Sequence, residues 1–303
     1  MSPPGVLSVA DQLHDLKTAN HQQNILLFYS WANLWANCRY HQNDLLTYRL
    51  PYMVDFTDLW MPAANGYGGK EPEISAWRDH WMPNVTRWEY AELWANHVAD
   101  HFQSVLDSTG WPLGIYVDVA WDEIWWLNND PLNAGKIMDA DLDGKPDSAS
   151  DLNARASVNV QYALSRLRSR FPKTLIVGNG GCRNWSAQNG RMFEFFTNPD
   201  QNHRWETVLE SGRYRDAPGR MNIMNVHTSR ATTGLALSLL FDDMWCSVSP
   251  HDHASRDWPE CFDWVPGAPL GAATQNNGVW ERQYENLLVR YDVTDKVGEV
   301  FFR

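Results

Sequence analysis

The sequence predicts an α/β fold in which a parallel sheet is covered by helices and closes as a TIM-type (β/α)8 barrel. Short segments that are apolar over nearly their whole length alternate with amphipathic helical segments, the pattern of a parallel sheet buried on both faces. The alternation recurs often enough to favour a barrel over an open sheet. Polar residues gather where the apolar segments end, as they do at the C-terminal mouth of such a barrel.

Each element follows from local pattern. Residues 9–23, VADQLHDLKTANHQQ, have helical spacing with Leu13 and Leu16 on one side, and NILLFYSW (24–31) reads as a buried strand. Residues 32–82 are rich in Trp, Asn and Gly and read as a long decorated loop. TRWEYAELWANHVADHFQSVL (86–106) is an amphipathic helix with Trp88, Leu93, Trp94, His97, Val98 and Phe102 mainly on one face, and GIYVDVAW (114–121) is the next strand. After an acidic loop, residues 150–172 form a helix opened by a Ser/Asp cap and closed before Pro172.

KTLIVGNGG (173–181) is a strand ending in a glycine turn, GRMFEFF (190–196) a short strand, and residues 202–214 a helix. MNIMNVHTS (221–229) is a strand, residues 231–248 a helix running into a strand, and residues 285–303 a pair of strands. The expected organisation is a barrel over 1–280 and a C-terminal β extension over 281–303, with no internal repeat.

A net charge of −12 opposes nucleic acid, which needs a basic footprint. No apolar run approaches the length of about 18 residues that spans a bilayer, so no membrane partner is expected. The opening MSPPGVLSVADQLHDL lacks the basic and apolar regions of a signal peptide. The four cysteines, Cys38, Cys182, Cys246 and Cys261, are spread too widely for a zinc site or an obvious disulfide frame. The 17 tryptophans are an unusual load. A large core absorbs some. Trp31, Trp35, Trp121, Trp125, Trp245 and Trp258 stand beside polar residues, where an exposed indole marks a binding surface.

Asp118 ends one predicted strand and Glu194 lies in another two strands later. Two carboxylates at a barrel mouth can divide nucleophile and acid roles across a glycosidic bond. Glu194 stands between Phe193 and Phe195, an apolar setting suited to a general acid; the structural alternative is an ion pair with Arg191 or Arg183. Asp122, Glu123, Asp242 and Asp243 are further carboxylates, of which Asp122 and Asp242 are read as substrate-positioning together with Trp121, Trp125 and Trp245.

GIYVDVAW, LIVGNGG, NGRMFEFF and GVWERQYENLLVRYD occur in that order over roughly residues 80–295. Together they resemble a group of hypothetical glycoside hydrolases with a TIM barrel, related to polygalactosaminidase-like and amylase-like barrels. The resemblance implies that Asp118 and Glu194 are catalytic and that Asn179 and His227 touch sugar. Two departures stand out: only the short GVLSV precedes the first helix, where the family begins with a strand, and Leu287 stands where the family has Gly, with the trailing β domain reduced.

In DADLDGKPDSASD, Asp139, Asp141, Asp143 and Asp147 occupy positions one, three, five and nine of a calcium loop, with Gly144 at six. The Lys145 carbonyl takes position seven; Ser150 replaces the usual Glu at twelve, and Asp151 follows. A structural Ca²⁺ on so weak a site suits an extracellular or particle-surface setting, where calcium is millimolar. His251, Asp252, His253 and Asp257 match no standard zinc spacing, and the glycine turn lacks the Lys-Ser/Thr of a phosphate loop.

The predicted function is therefore hydrolysis of glycosidic bonds in a polysaccharide or oligosaccharide, by retention, with Asp118 as nucleophile and Glu194 as acid/base. The alternative is a non-catalytic carbohydrate-binding or structural protein, such as a surface or virion component.

Overall fold

The first helix, α1 (Trp88–Thr109), forms because Tyr90, Ala91, Trp94, Ala95, Val98, Ala99, Phe102 and Val105 recur at three- and four-residue spacing and are all buried. Gly110 ends it in the left-handed conformation at φ 66°, its N–H closing on the Leu106 carbonyl. A computed structural model describes residues 25–32, 34–35, 61, 74–75, 80–181, 183–184, 186–194, 221–242, 244–249 and 258–303. The helices expected over 9–23 and 202–214, most of the 32–82 loop, Asp243 and the His251–His253 stretch lie outside the described residues. The chain divides into two compact units, Met1–Gln188 and Asn189–Arg303.

In the first unit, strands β1 (Ile25–Ser30), β4 (Leu113–Asp118) and β5 (Ile176–Asn179) run parallel in the order β1-β4-β5. β2 (Leu34–Trp35) pairs antiparallel with β3 (His80–Trp81), tying the two ends of the long connection that the sequence reads as loop. The second helix, α2 (Ala149–Arg170), is capped by Ser148, whose hydroxyl accepts from the Asp151 N–H, and it stops at Phe171 before Pro172. Arg168 then ties the turn into β5, donating to the carbonyls of Phe171, Pro172, Thr174 and Ala187.

α1 covers one face of these strands: Tyr29 on β1 shares a hydrogen bond with His101 at 2.8 Å, and Trp94 Nε1 donates to the Ser30 carbonyl at 2.8 Å. Trp31 corrects the sequence reading. It is fully buried, packed at 5.1 Å against both Tyr90 and Trp94, because the chain turns inward immediately after β1. Truncating Phe102 or Trp94 in this core would cost about 3–5 kcal/mol.

In the second unit, β6 (Gly190–Phe193), β7 (Asn222–His227) and β8 (Met244–Ser249) are also parallel and adjacent in that order. The third helix, α3 (Ala231–Leu240), connects β7 to β8. An antiparallel sheet follows in the order β12-β11-β10-β9, made of β9 (Thr274–Asn276), β10 (Val279–Gln283), β11 (Leu287–Asp292) and β12 (Val297–Phe302). The sequence reading found β11 and β12; the hairpin of β9 and β10 is joined by Asn277-Gly278, both with positive φ (49° and 84°), the pair such a two-residue turn requires.

α3 is apolar on almost every side because it is covered on two. A Cβ on Gly234 would meet Val226 at 2.6 Å and Cys246 at 2.7 Å, and one on Gly298 of β12 would meet Ala236 at 2.9 Å. Arg282 on β10 caps the end of α3: it is 6% exposed and donates to the carbonyls of Leu239 and Leu240 and to Asp242 Oδ1 at 2.7 Å. The six parallel strands and their helices are the mixed α/β class that the sequence predicts. Among the described residues no helix is long and apolar enough to cross a membrane.

Candidate functional site

In the first unit the candidate residues collect at the C-terminal ends of β4 and β5. Tyr29 faces α1 and is paired in register with Val117, so Asp118, one residue on, faces away from the helix. Register pairing of Val117 with Gly178 puts Asn179 beside Asp118, and Asn179 Nδ2 donates to Asp118 Oδ1 at 2.9 Å. Beneath them on the same face, Phe28 and Tyr116 stack with centroids 5.7 Å apart.

The chain turns at once after Asp118. Val119 has φ 49°, a conformation that a β-branched residue adopts only under constraint. The constraint comes from the glycine turn after β5. The Ala120 N–H donates to the Asn179 carbonyl at 2.6 Å, and Gly180, at φ 122°, approaches so closely that a Cβ would lie 2.9–3.0 Å from the Ala120 backbone. A Cβ on Gly181 would meet Asp122 Oδ1 at 2.5 Å. These glycines hold the segment after Asp118 against the end of β5, which accounts for GNGG without any phosphate.

Among the indoles after Asp118, Trp121 and Trp125 are half-buried and packed on the unit's core. The backbone N–H groups of Ile124 and Trp125 both donate to Asn153 Oδ1 of α2 (2.9 and 3.0 Å). Trp126, which the sequence reading passed over, is the exposed one at 42%. It meets Trp121 edge-to-face at 5.1 Å, and its Nε1 donates to the Glu123 carbonyl. Nothing in the spacing distinguishes Trp125 from Trp126; only the short 3-10 turn at Trp125–Asn129 sends one in and the other out.

In the second unit β7 and β8 end on His227 and Ser249, and Glu194 follows the end of β6. Phe193 is fully buried among Met224, Leu237 and other core residues. Glu194 is half-buried in the turn that follows β6. Phe195 lies outside the described residues. His227 Nδ1 accepts from the Ser229 N–H at 3.2 Å, which puts the proton of the neutral ring on Nε2. Trp245 is 55% exposed. Asp242 is ion-paired with Arg282 at the end of α3.

In the acidic loop the structure brings together Asp139, Asp141 and Asp147, with carboxylate oxygens within 4.8 Å of one another. Asp139 is buried and accepts from the N–H groups of Asp143 (3.1 Å) and Gly144 (2.9 Å). Burial pushes its carboxyl above the usual range, opposed by those two N–H donors. Asp143 is turned to the Lys145 ammonium at 3.1 Å, which holds its carboxyl below the usual range. Arg155 pairs with Asp147 at 2.7 Å and with Asp151.

With the fold and these residues in place, comparison with known proteins is direct. The chain belongs to hypothetical glycosyl hydrolase family 15, whose model matches residues 25–288. No curated protein matches it. Among solved structures it is similar to the glycoside hydrolase domain of PelA from Pseudomonas aeruginosa, at 9% identity and a TM-score of 0.47, covering 81% of this chain and 85% of that one. It is also similar to a quadruple mutant of the alpha-N-acetylgalactosaminidase NagBb from Bifidobacterium bifidum, at 12% identity and a TM-score of 0.44, covering 96% of this chain and 44% of that one.

Proposed function

We propose that the protein is a glycoside hydrolase acting on a polysaccharide or oligosaccharide. Its parallel strands would belong to a (β/α)8-type barrel, with the antiparallel sheet as a C-terminal extension. Family membership over residues 25–288 carries this reading. Asp118 ends β4 and faces away from α1, and Glu194 follows the last residue of β6, the end of the strands where catalytic groups of such barrels lie.

In the proposed reaction the Asp118 carboxylate attacks the anomeric carbon while Glu194 gives its proton to the departing glycosidic oxygen. Glu194 then takes a proton from water, which attacks the same carbon and releases the sugar from Asp118 with its configuration retained. The hydrogen bond from Asn179 orients the nucleophile. Trp121 and Trp126, together with Asp122, line the approach after β4, the exposed indole of Trp126 supplies a stacking face, and Trp125 packs on the core behind them.

The test is hydrolysis of a glycan panel by wild type, Glu194→Gln and Asp118→Asn, with the anomer of the first product read by NMR. Both variants should lose about 10²-fold or more in rate and still bind glycan. Wild type that binds but never cleaves supports the carbohydrate-binding alternative. Equal cleavage by wild type and Glu194→Gln removes Glu194 from the mechanism, and an inverted product removes the nucleophile role of Asp118.

We also propose that the acidic loop holds a structural calcium ion. The donors fit a hard cation: Asp139, Asp141 and Asp147 converge, and a cation would relieve the cost of burying the Asp139 carboxylate. Asp143, Asp151 and the Lys145 carbonyl are the further oxygens within the loop. The ion would pin the segment between β4 and α2 and take no part in the chemistry. So weak a site, with Ser150 where the bidentate Glu would stand, suits the millimolar calcium of an extracellular or particle surface.

A further inference from the structure

The strand ends of the second unit hold a polar cluster that the two-carboxylate reaction leaves unexplained. Asn225 on β7 is 3% exposed, and its Nδ2 donates to Ser249 Oγ at 2.9 Å and to Ser247 Oγ at 3.3 Å, both on β8. Its Oδ1 is buried and accepts nothing. Turning the amide over moves the difficulty without removing it: one end serves both serines, and the other end is left with no partner. Buried polar atoms are nearly always satisfied, so the unspent end calls for a group that arrives from outside.

Register defines where this cluster lies. Asn225 is paired with Ser247 and His227 with Ser249. Alternation along the strands puts all four on one face, opposite Val226 and Cys246, which pack toward Gly234 of α3. Phe193, the last residue of β6, is paired with Met224, the residue before Asn225, and Glu194 follows Phe193 in the turn at that end of the sheet. Ser247, Ser249 and His227 are half-buried, whereas Asn225 lies beneath them.

We infer that Asn225, His227, Ser247 and Ser249 form a subsite for the hydroxyls of an uncharged sugar, beside Glu194. The inference rests on the glycosidase reading and adds the substrate class to it. Because Asn225 donates to both serines from below, each serine hydroxyl keeps its own proton to donate to a sugar oxygen. The spare end of the Asn225 amide meets a hydroxyl, directly or through a water. The amide and the two hydroxyls carry no charge to pair with a uronic acid, and the chain's net charge of −12 repels an acidic polymer.

The test uses the full chain as wild type, Ser249→Ala, Ser249→Thr and Asn225→Leu. The probes are neutral hexamers of glucose, xylose, mannose and N-acetylglucosamine, and oligogalacturonate. Wild type should prefer a neutral hexamer. Ser249→Ala should weaken it about 3- to 10-fold, the loss of one hydrogen bond, with a raised KM, and Ser249→Thr, which keeps the oxygen that Asn225 Nδ2 bonds, should restore binding. Asn225→Leu should weaken binding further; if it does not fold, Ser249→Ala decides. A preference for oligogalacturonate, or neutral binding untouched in Ser249→Ala, overturns the subsite and leaves the glycosidase reading standing. Neither binding nor cleavage of any glycan removes both.

Discussion

Asn179 donates its side-chain N–H to Asp118 Oδ1 across two adjacent parallel strands, at 2.9 Å. The contact exists because β4 and β5 run in register and end together, so that residues sixty-one apart in sequence become neighbours on one face.

Asn179 is therefore expected to be a positioning residue for the proposed nucleophile. Asn179→Ala should lower kcat by about tenfold or more, with a smaller change in KM, since a lost hydrogen bond to a charged group is worth about 1.5–3 kcal/mol. Asn179→Asp should be worse than Ala, because a second carboxylate beside Asp118 repels its charge. Steady-state kinetics on any cleaved glycan decide this; a kcat for Asn179→Asp equal to wild type would rule out the role.

Trp125 and Trp126 are adjacent in sequence and opposite in surroundings. Trp126→Ala should weaken glycan retention by about 1 kcal/mol, the order of a lost aromatic contact, while the melting temperature stays within a degree or so. Trp125→Ala should lower the melting temperature because its indole packs on the core. Affinity electrophoresis beside thermal melts separates the two, and the reverse pattern would exchange their roles.

Calcium should raise the melting temperature, and chelator should reverse the gain. At ten times Kd the added stability is about 1.4 kcal/mol, a few degrees for a chain of this size. Asp141→Asn should abolish the gain without altering the melt in chelator, because Asp141 is exposed whereas Asp139 is buried within the turn. Identical melts with calcium and with chelator would leave only a hydrogen-bonded acidic turn.

His97 and His101, one turn apart on α1, should make stability fall in mild acid. Burial holds both imidazoles below their usual range; for His97 the neighbouring His101 adds to the effect and Asp100 opposes it. The unfolded chain takes up protons near the ordinary histidine value of about 6.5, above the folded value, so it binds more protons as pH falls through that point. Stability is then full above about pH 6.5 and declines below it. Melting temperatures at about pH 7.5 and 5.5 should differ less in the His97→Gln/His101→Gln variant than in wild type; an equal drop in both would assign the acid sensitivity elsewhere.

Much of the fold was legible because the pattern is local. The buried stripe of α1, the Ser148 cap and Pro172 stop of α2, and the apolar runs of β1, β4, β5 and β7 each obey one period or one turn rule. The β9–β10 hairpin was missed although Asn277-Gly278 is its signal, because the short, fully exposed β9 has no apolar alternation to draw attention to it. α3 was read as a helix, but its uniform apolarity makes sense only once β7 and β8 cover one side and the antiparallel sheet the other.

Other residues took their meaning from contacts that sequence distance hides. Trp31, beside Ser30, is fully buried, whereas Trp126, between Trp125 and Leu127, is 42% exposed. Arg282, in the closing GVWERQYENLLVRYD run, caps α3 and holds Asp242, forty residues earlier in the chain.

By itself, then, the sequence determined the α/β class, the placement of Asp118, Asn179 and His227 at strand ends, and the carboxylates of the acidic loop, because hydrophobic period and turn chemistry act over a few residues. Only the tertiary structure decided that Asn179 holds Asp118, that Gly180 and Gly181 serve close backbone approach, that Asp143 turns to Lys145, and that Asn225 gathers Ser247 and Ser249. Those outcomes depend on strand register and on which face a side chain takes, and both are set by what packs on the far side of the sheet.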